Sequence, residues 1–330
     1  MNGPRERIIA ELHRVGRNGI LQAELQKLTG CSRSYLSEVL ADLEEKGLIL
    51  RVHGEGNSRR VISLMNPGGT RYFRIGLLRS SEYIPLIASL KTIFEDSTSL
   101  LDVAFSNNPN ELYDDLLSGR MDAICAPLIS LGTNFMVRRG GRLMFGIASG
   151  GSYTYENEQY ASDGILTSEN STMSLLASKI SASGKWLMHS YMDPATGTRD
   201  FIGGKFRFIS IWEPYATKLL DLGYRPINHY ADALSNQPCC GLMISEQLDK
   251  SVAHRLLETL NKEYSDFDQN KINMTWAIRL FADTIGFTPE LIERSMRSYS
   301  FHLYTISMDT FKTVGINMTE ELFLKLTSFP

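Results

Sequence analysis

The stretch Cys31-Ser-Arg-Ser-Tyr-Leu-Ser-Glu-Val-Leu-Ala-Asp-Leu-Glu-Glu-Lys-Gly-Leu-Ile-Leu50 decides how the first part of this chain folds. Ser32 can cap a helix by accepting from a free amide, Leu36, Val39, Leu40 and Leu43 recur on one face, and Gly47 supplies a left-handed stop. The spacing predicts a helix with one buried stripe. Its other, N-terminal face carries Ser32, Arg33, Ser34, Tyr35, Ser37 and Glu38, polar groups of the kind that reach base edges and phosphates from a major groove. We read it as a recognition helix.

Upstream, Ile8, Ile9, Leu12 and Val15 predict an amphipathic helix over 5–17, ended by Gly16 to Gly19. A shorter helix over 22–28 turns Leu21, Leu25 and Leu28 inward, and Thr29-Gly30 makes the tight turn into the recognition helix. Downstream, strands over 48–53 and 59–64 flank Gly-Glu-Gly-Asn-Ser, a composition suited to a long hairpin tip. Arg51, Arg59 and Arg60 lie on or beside that hairpin, where a wing follows the sugar-phosphate backbone.

The block 1–65 resembles the winged helix-turn-helix domain of bacterial and archaeal transcription regulators. The resemblance rests on Ser-Arg-Ser-Tyr-Leu-Ser-Glu-Val-Leu, the following Leu-Glu-Glu-Lys-Gly-Leu-Ile, and the glycine-rich wing. It implies double-stranded operator DNA as a partner and a homodimer on two half-sites. Many relatives carry Arg or Lys where Glu38 stands. Glu38 then either reads cytosine or holds a neighbouring arginine, and both readings stand open, as does the use of this face for another protein.

At 330 residues the chain exceeds one small core, so two or three compact units are expected. A 43% hydrophobic and 22% charged composition excludes a disordered or membrane-embedded protein. There is no uncharged apolar run of membrane-spanning length and the first residues break their apolar positions with charge, so neither a span nor an export leader is expected, and the cytoplasm is the expected location. Residues 1–66 hold ten Lys or Arg against eight Asp or Glu, whereas the whole chain has a formal charge of -3. A slightly basic head on an acidic body fits nucleic-acid contact through one end.

Cys31, Cys125, Cys239 and Cys240 show no CxxC spacing, so no disulfide framework, metal centre or cofactor is expected. The adjacent pair Cys239-Cys240 leaves two readings open, a soft-metal or oxidisable pair and two half-buried strand thiols.

Asn66-Pro67-Gly68-Gly69 is a breaker cluster and predicts a linker over 66–71. Alternating strand and helix patterns follow, with strands at 73–78, 100–105 and 122–126 and helices at 83–94 and 111–117. That alternation predicts an α/β fold with a parallel sheet and crossover helices, whose ligands collect at the carboxyl ends of the strands. A strand over 142–149 leaves this lobe, Gly150-Gly-Ser-Tyr reads as a flexible joint, and a second α/β unit follows with strands at 164–167 and 206–211. Its first helix opens with Ser168-Glu-Asn-Ser-Thr, which suits an anion or plain helix capping equally.

At Ile211-Trp-Glu-Pro-Tyr-Ala-Thr-Lys the chain resembles type II periplasmic binding proteins of the nitrate, sulfonate, taurine and thiamine-pyrimidine branch, a likeness that extends over about 72–330. Gln237-Pro-Cys-Cys-Gly-Leu-Met-Ile-Ser-Glu is similar to that family's returning hinge strand. The segments 254–264 and 283–293 are similar to its closing helices. The resemblance implies a two-lobed domain over 72–330, with 72–149 and 236–330 in one lobe and 150–235 in the other, clamped on a small polar or anionic metabolite. Exported relatives carry a leader, and here a reading head stands instead, so a sensor rather than a transport component is expected. Relatives also tend to carry Asp-Ala shortly before this block, where Phe206-Arg207-Phe208 stands.

By matching positions the ligand-binding candidates are Ser80, Ser81, Tyr83, Asn107, Asn108, Ser149, Ser152, Ser171, Thr172, Trp212 and Glu213, hydroxyls and amides with one aromatic face. Trp212 taken alone reads as lobe core or as a stacking surface. The Phe301 to Phe329 tail reads as lobe core or as a docking surface. No nucleophile-base-orienter set stands in the sequence, so a non-enzymatic, ligand-responsive transcription regulator is expected. The alternative is an enzyme of the thiamine-pyrimidine synthase type on the same fold.

Overall fold

The computed structural model describes residues 3–53, 59–65, 71–95, 99–184, 186–235, 237–265 and 273–328, and every structural statement below concerns these. The hairpin tip at 54–58 and residues 66–70 of the expected linker lie outside them, while Arg71 already belongs to a strand.

The N-terminal unit runs α1 (Pro4–Val15), a 3-10 turn (Gly16–Asn18), β1 (Ile20–Leu21), α2 (Gln22–Thr29), α3 (Arg33–Glu45), β2 (Ile49–His53) and β3 (Arg59–Ser63). The strands form a sheet in the order β1-β3-β2. Ile8, Leu12, Leu25, Leu36, Leu40 and Val61 close one core beneath it. Ser32 caps α3 by accepting from the Tyr35 amide at 3.3 Å, and Gly47 takes a φ of 63° after it. Leu28 departs from expectation, because it is exposed. The inward line of α2 runs through Leu25 and Thr29, one turn apart, and the Thr29 hydroxyl donates to the Leu25 carbonyl at 2.8 Å.

A second sheet is built from β4 (Arg71–Leu78), β5 (Ser99–Ser106), β6 (Ala123–Pro127) and β7 (Arg142–Gly150), linked by α4 (Ile84–Glu95), α5 (Pro109–Leu117) and α6 (Leu128–Arg138). The chain then leaves it for a third sheet: β8 (Ser152–Glu156), β9 (Gly164–Thr167), α7 (Thr172–Gly184), β10 (Leu187–Ser190), α8 (Pro194–Ile202), β11 (Phe208–Trp212), α9 (Tyr215–Asp221), β12 (Pro226–His229) and α10 (Ala231–Leu234). It returns to the second sheet as β13 (Cys240–Ile244), α11 (Lys250–Ser265), α12 (Thr275–Ile285), α13 (Pro289–Met296) and β14 (Tyr299–Tyr304), and ends in α14 (Met308–Thr313) and α15 (Glu320–Thr327).

The second sheet has the order β14-β7-β13-β6-β4-β5 and the third β10-β9-β11-β8-β12. Both are mixed, not parallel throughout. β4 pairs in parallel with β5 and β6, but the returning β13 runs against both β6 and β7. A strand that re-enters a sheet from the other lobe arrives in the reverse direction and needs no crossover helix.

Gly150 and Gly151 are not a loose joint. β7 and β8 follow each other with one residue between, and the Gly151 amide donates to the Ser298 carbonyl at 2.9 Å. Gly151 has a φ of 67°, and a Cβ there would fall 2.0 Å from the Tyr299 ring. Phe301, Phe311 and Leu326 of the C-terminal segment pack into the large core around the second sheet, while Leu324 is exposed. No described helix is long and apolar enough to cross a membrane.

Candidate functional site

Two candidate surfaces lie at opposite ends of β4 and β6. At the amino ends sits the N-terminal unit. Along α3 the structure places Ser32, Arg33, Ser34, Ser37 and Glu38 on the exposed face and leaves Tyr35 half-buried against the core. Arg59, at the mouth of the hairpin, is exposed as well. The other two hairpin arginines are engaged inside the unit. Arg51 Nε donates to Glu44 at 2.8 Å, and Arg60 Nη1 donates to the Asn18 and Gly19 carbonyls at 3.0 and 3.2 Å. Both therefore hold the wing to the helices.

Arg17 joins this unit to the second sheet. It is 6% exposed, and its guanidinium donates to Asp122 Oδ2 at 2.5 Å, to the Tyr72 carbonyl at 2.7 Å and to the Gly119 carbonyl at 3.4 Å. The same Asp122 oxygen accepts the Arg74 amide at 2.8 Å, at the amino end of β4. Gly119, at a φ of 73°, permits the close approach, since a Cβ there would lie 2.9 Å from Leu50 Cδ1. A buried ion pair of this kind fixes register between the packed parts, because either partner alone would be an uncompensated buried charge.

At the carboxyl ends of β4 and β6 a narrow cleft lies between the second and third sheets, with a cavity of about 40 Å³. Ser80, Tyr83, Asn107, Ser152, Ser171, Thr172 and Trp212 line it. The other expected residues lie elsewhere. Ser81 bonds to the Ser295 hydroxyl at 2.8 Å, Asn108 caps α5 through the Asn110 amide at 2.9 Å, and Ser149 meets the Tyr304 hydroxyl at 2.8 Å. Glu213 sits behind the cleft wall, accepting from the Thr217 amide at 2.8 Å and the Ser298 hydroxyl at 2.9 Å. Burial lifts its carboxyl to about 7.

Direct bonds cross the cleft. Trp212 Nε1 donates to the Arg79 carbonyl at 3.0 Å, Ser130 donates to the Asn170 carbonyl at 2.6 Å, and the Asn107 amide reaches Asp193 at 3.5 Å. Trp212 is thus both core and cleft wall, its ring 5.9 Å from Tyr191. The Ser171 hydroxyl accepts from the Met173 amide at 3.1 Å and donates to the Ser168 carbonyl at 2.7 Å, which is helix capping.

Sequence reasoning missed Glu82 and Tyr299 and read the Cys239-Cys240 pair without placing it in the cleft, yet all four line the same cavity. Glu82 is 3% exposed, and each of its oxygens accepts from one thiol, Cys239 at 2.9 Å and Cys240 at 3.0 Å. Desolvation raises the Glu82 carboxyl and the Cys240 thiol, the latter to about 11, while the bond to Cys240 and then burial raise Cys239. The adjacent cysteines were visible, but their convergence was not. Consecutive strand residues point to opposite faces, and only because Cys239 precedes β13 and the β13–β7 register shifts at Cys240 do both thiols reach one carboxylate.

Residues 7–61 match the MarR family. The N-terminal unit is a MarR-type winged-helix domain. The remainder has the periplasmic-binding-protein fold. It is similar to the ligand-binding component of an ABC-type import system from Staphylococcus aureus, solved with zinc bound, at 18% identity and a TM-score of 0.60, covering 74% of this chain and 89% of that one. The alkanesulfonate-binding protein SsuA from Xanthomonas axonopodis pv. citri, bound to MOPS, is similar at 15% identity and a TM-score of 0.58, over 74% and 89%. The periplasmic nitrate-binding protein NrtA from Synechocystis PCC 6803 is similar at 13% and 0.53, over 71% and 72%. No curated protein matches the sequence.

Proposed function

We propose that the chain is a cytoplasmic, ligand-responsive transcription regulator. Residues 1–65 read operator DNA as one half of a homodimer, 66–71 link, and 72–330 sense a small polar or anionic metabolite between a lobe of 72–149 with 236–330 and a lobe of 150–235. The observation that supports this best is the seating of Arg17. It ties a MarR-type winged-helix unit to the amino ends of the strands β4 and β6, whose carboxyl ends line the cleft. From Tyr72 to Leu78 that is roughly 20 Å of strand. Opening or closing of the cleft tilts those strands and with them the reading head. The coupling is bounded by the ligand's preference for the closed form, about 1 to 3 kcal/mol in comparable systems.

On DNA, α3 enters the major groove with Arg33, Ser34, Ser37 and Glu38 outward, and Arg59 supplies the wing's phosphate contact. Arg59→Ala weakens binding to a random-sequence duplex and lowers the slope of log affinity against log salt by about 0.9, one phosphate's worth. Fluorescence anisotropy across a salt series reads both, and an unchanged slope removes the wing from the contact.

A further inference from the structure

The triad of Glu82, Cys239 and Cys240 stands out because a buried carboxyl group is served by neutral donors alone. A carboxylate that is removed from water loses several kcal/mol of solvation unless it is paired. The groups bonded to Glu82 are two thiols, a phenol and a hydroxyl, none of them cationic. Thiols are weak donors. The site therefore has the donor atoms of a cation site and no side-chain cation among those bonded to it.

We propose that this triad binds a thiophilic divalent cation of the zinc and cadmium class at the floor of the cleft. The ion would be a second ligand of that cleft, beside the metabolite, and the inference rests on reading the cleft as the sensing site. The one-ligand-atom-per-residue set lies within 4.8 Å, with the two sulfurs 3.3 Å apart and the carboxylate oxygens 2.9 and 3.0 Å from them. Tetrahedral zinc bonded at about 2.3 Å to each sulfur holds two sulfurs roughly 3.7 Å apart, so the donors need part by only about half an ångström.

Size points the same way. The cavity of about 40 Å³ beside the triad has room for an ion and one or two waters. Two sulfurs and one carboxylate oxygen would fill three of the four positions of a tetrahedral ion and leave one for water or another donor. On binding, each thiol gives up its proton to solvent, the dication takes two thiolates and the carboxylate, and no electron changes hands. Cys239 and Cys240 stand where the chain re-enters the second sheet, while Glu82 follows β4, so the ion would tie the returning strand to the cleft end of β4. It would act where the lobes meet.

The test is titration of the reduced, chelator-treated full chain with Cd²⁺, read by the ultraviolet sulfur-to-cadmium charge-transfer band. We expect saturation at one equivalent per chain, loss of the band and about 100-fold weaker binding in Cys239→Ser/Cys240→Ser, and about 10-fold weaker binding with the band retained in Glu82→Gln. Absence of the band at stoichiometric Cd²⁺ overturns the proposal. So does an undiminished band in the double variant, which keeps Cys31 and Cys125. Should the double variant fail to fold, Cys240→Ser and Glu82→Gln decide, and unchanged affinity in both overturns it. Binding of the Cd²⁺-free chain to a random-sequence duplex at low salt is measured on the same preparation. Failure there breaks the regulator reading and leaves the cation site standing.

Discussion

The two ends of β4 and β6 handle buried acid in opposite ways. At the amino ends, Asp122 has a full cationic partner in Arg17 and a backbone amide besides, with both side chains 5% exposed. At the cleft end, Glu82 and Glu213 are equally withdrawn from water, yet thiols, hydroxyls and an amide are the donors that serve them. A neutralised pair fixes geometry and is indifferent to what the solution contains. An acid left with neutral donors responds to protons and cations. The chain has therefore placed its rigid joint under the reading head and its responsive groups around the cleft.

The largest expected effect comes from breaking the rigid end. Arg17→Ala leaves Asp122 charged, buried and unpaired, and should cost about 3 to 5 kcal/mol in urea unfolding. The double variant Arg17→Met/Asp122→Leu removes both charges and should recover part of that loss, the remainder being the bonds that the Arg74 amide and the Tyr72 carbonyl lose. A single variant within about 1 kcal/mol of the parent would show that the joint is solvated in solution, and the contrast between the two ends would fall.

The second test addresses the responsive end through pH. Burial raises the Glu213 carboxyl from 4.5 to about 7, with Asp221 adding to the effect. The titratable groups around it are Asp221, Tyr153, Tyr155 and Tyr299, and the tyrosines stay protonated across this range. A folded-state value above the unfolded one stabilises fully below about pH 4.5, and that contribution is lost as pH climbs through about 7. The loss is on the order of 3 kcal/mol. Comparing unfolding at about pH 5 and about pH 8, Glu213→Gln should flatten the dependence. A variant as pH-sensitive as the parent assigns the titration elsewhere.

How much of this was legible beforehand follows from the range of the forces. The recognition helix, its Ser32 cap and Gly47 stop, and the alternating strands of the second sheet are local patterns, and the structure has them within a residue or two. The clamp-like fold was readable only through resemblance at Trp212-Glu-Pro-Tyr215. What escaped depends on contacts between distant segments. Arg17 reads as the polar end of a helix until Asp122 is brought to it, 105 positions later. Arg51 and Arg60 also bond within the unit, to Glu44 and to the Asn18 carbonyl, partners that no local pattern announces. Ser81 and Glu213 have the right chemistry for a cleft and the wrong side of the wall. Glu82 stands between two serines and a tyrosine and matches no local pattern until Cys239 and Cys240 are brought to it.

The smallest expected effect concerns closure itself. Trp212 Nε1 donates to the Arg79 carbonyl at 3.0 Å, joining the end of β11 to the end of β4 across the cleft. Trp212→Phe keeps an aromatic face toward Tyr191 and removes that donor, which should cost the closed form about 1 kcal/mol, or roughly a fivefold shift toward open molecules. Small-angle scattering of the ligand-free chain should show a larger radius of gyration for the variant, while Arg17→Met/Asp122→Leu leaves the interlobe distance unchanged. If Trp212→Phe scatters as the parent does, the bonds from Ser130 to the Asn170 carbonyl and from Asn107 to Asp193 are enough to hold the lobes together. Closure would then be shared among many weak donors, and no single one of them would set how readily a ligand can part the lobes.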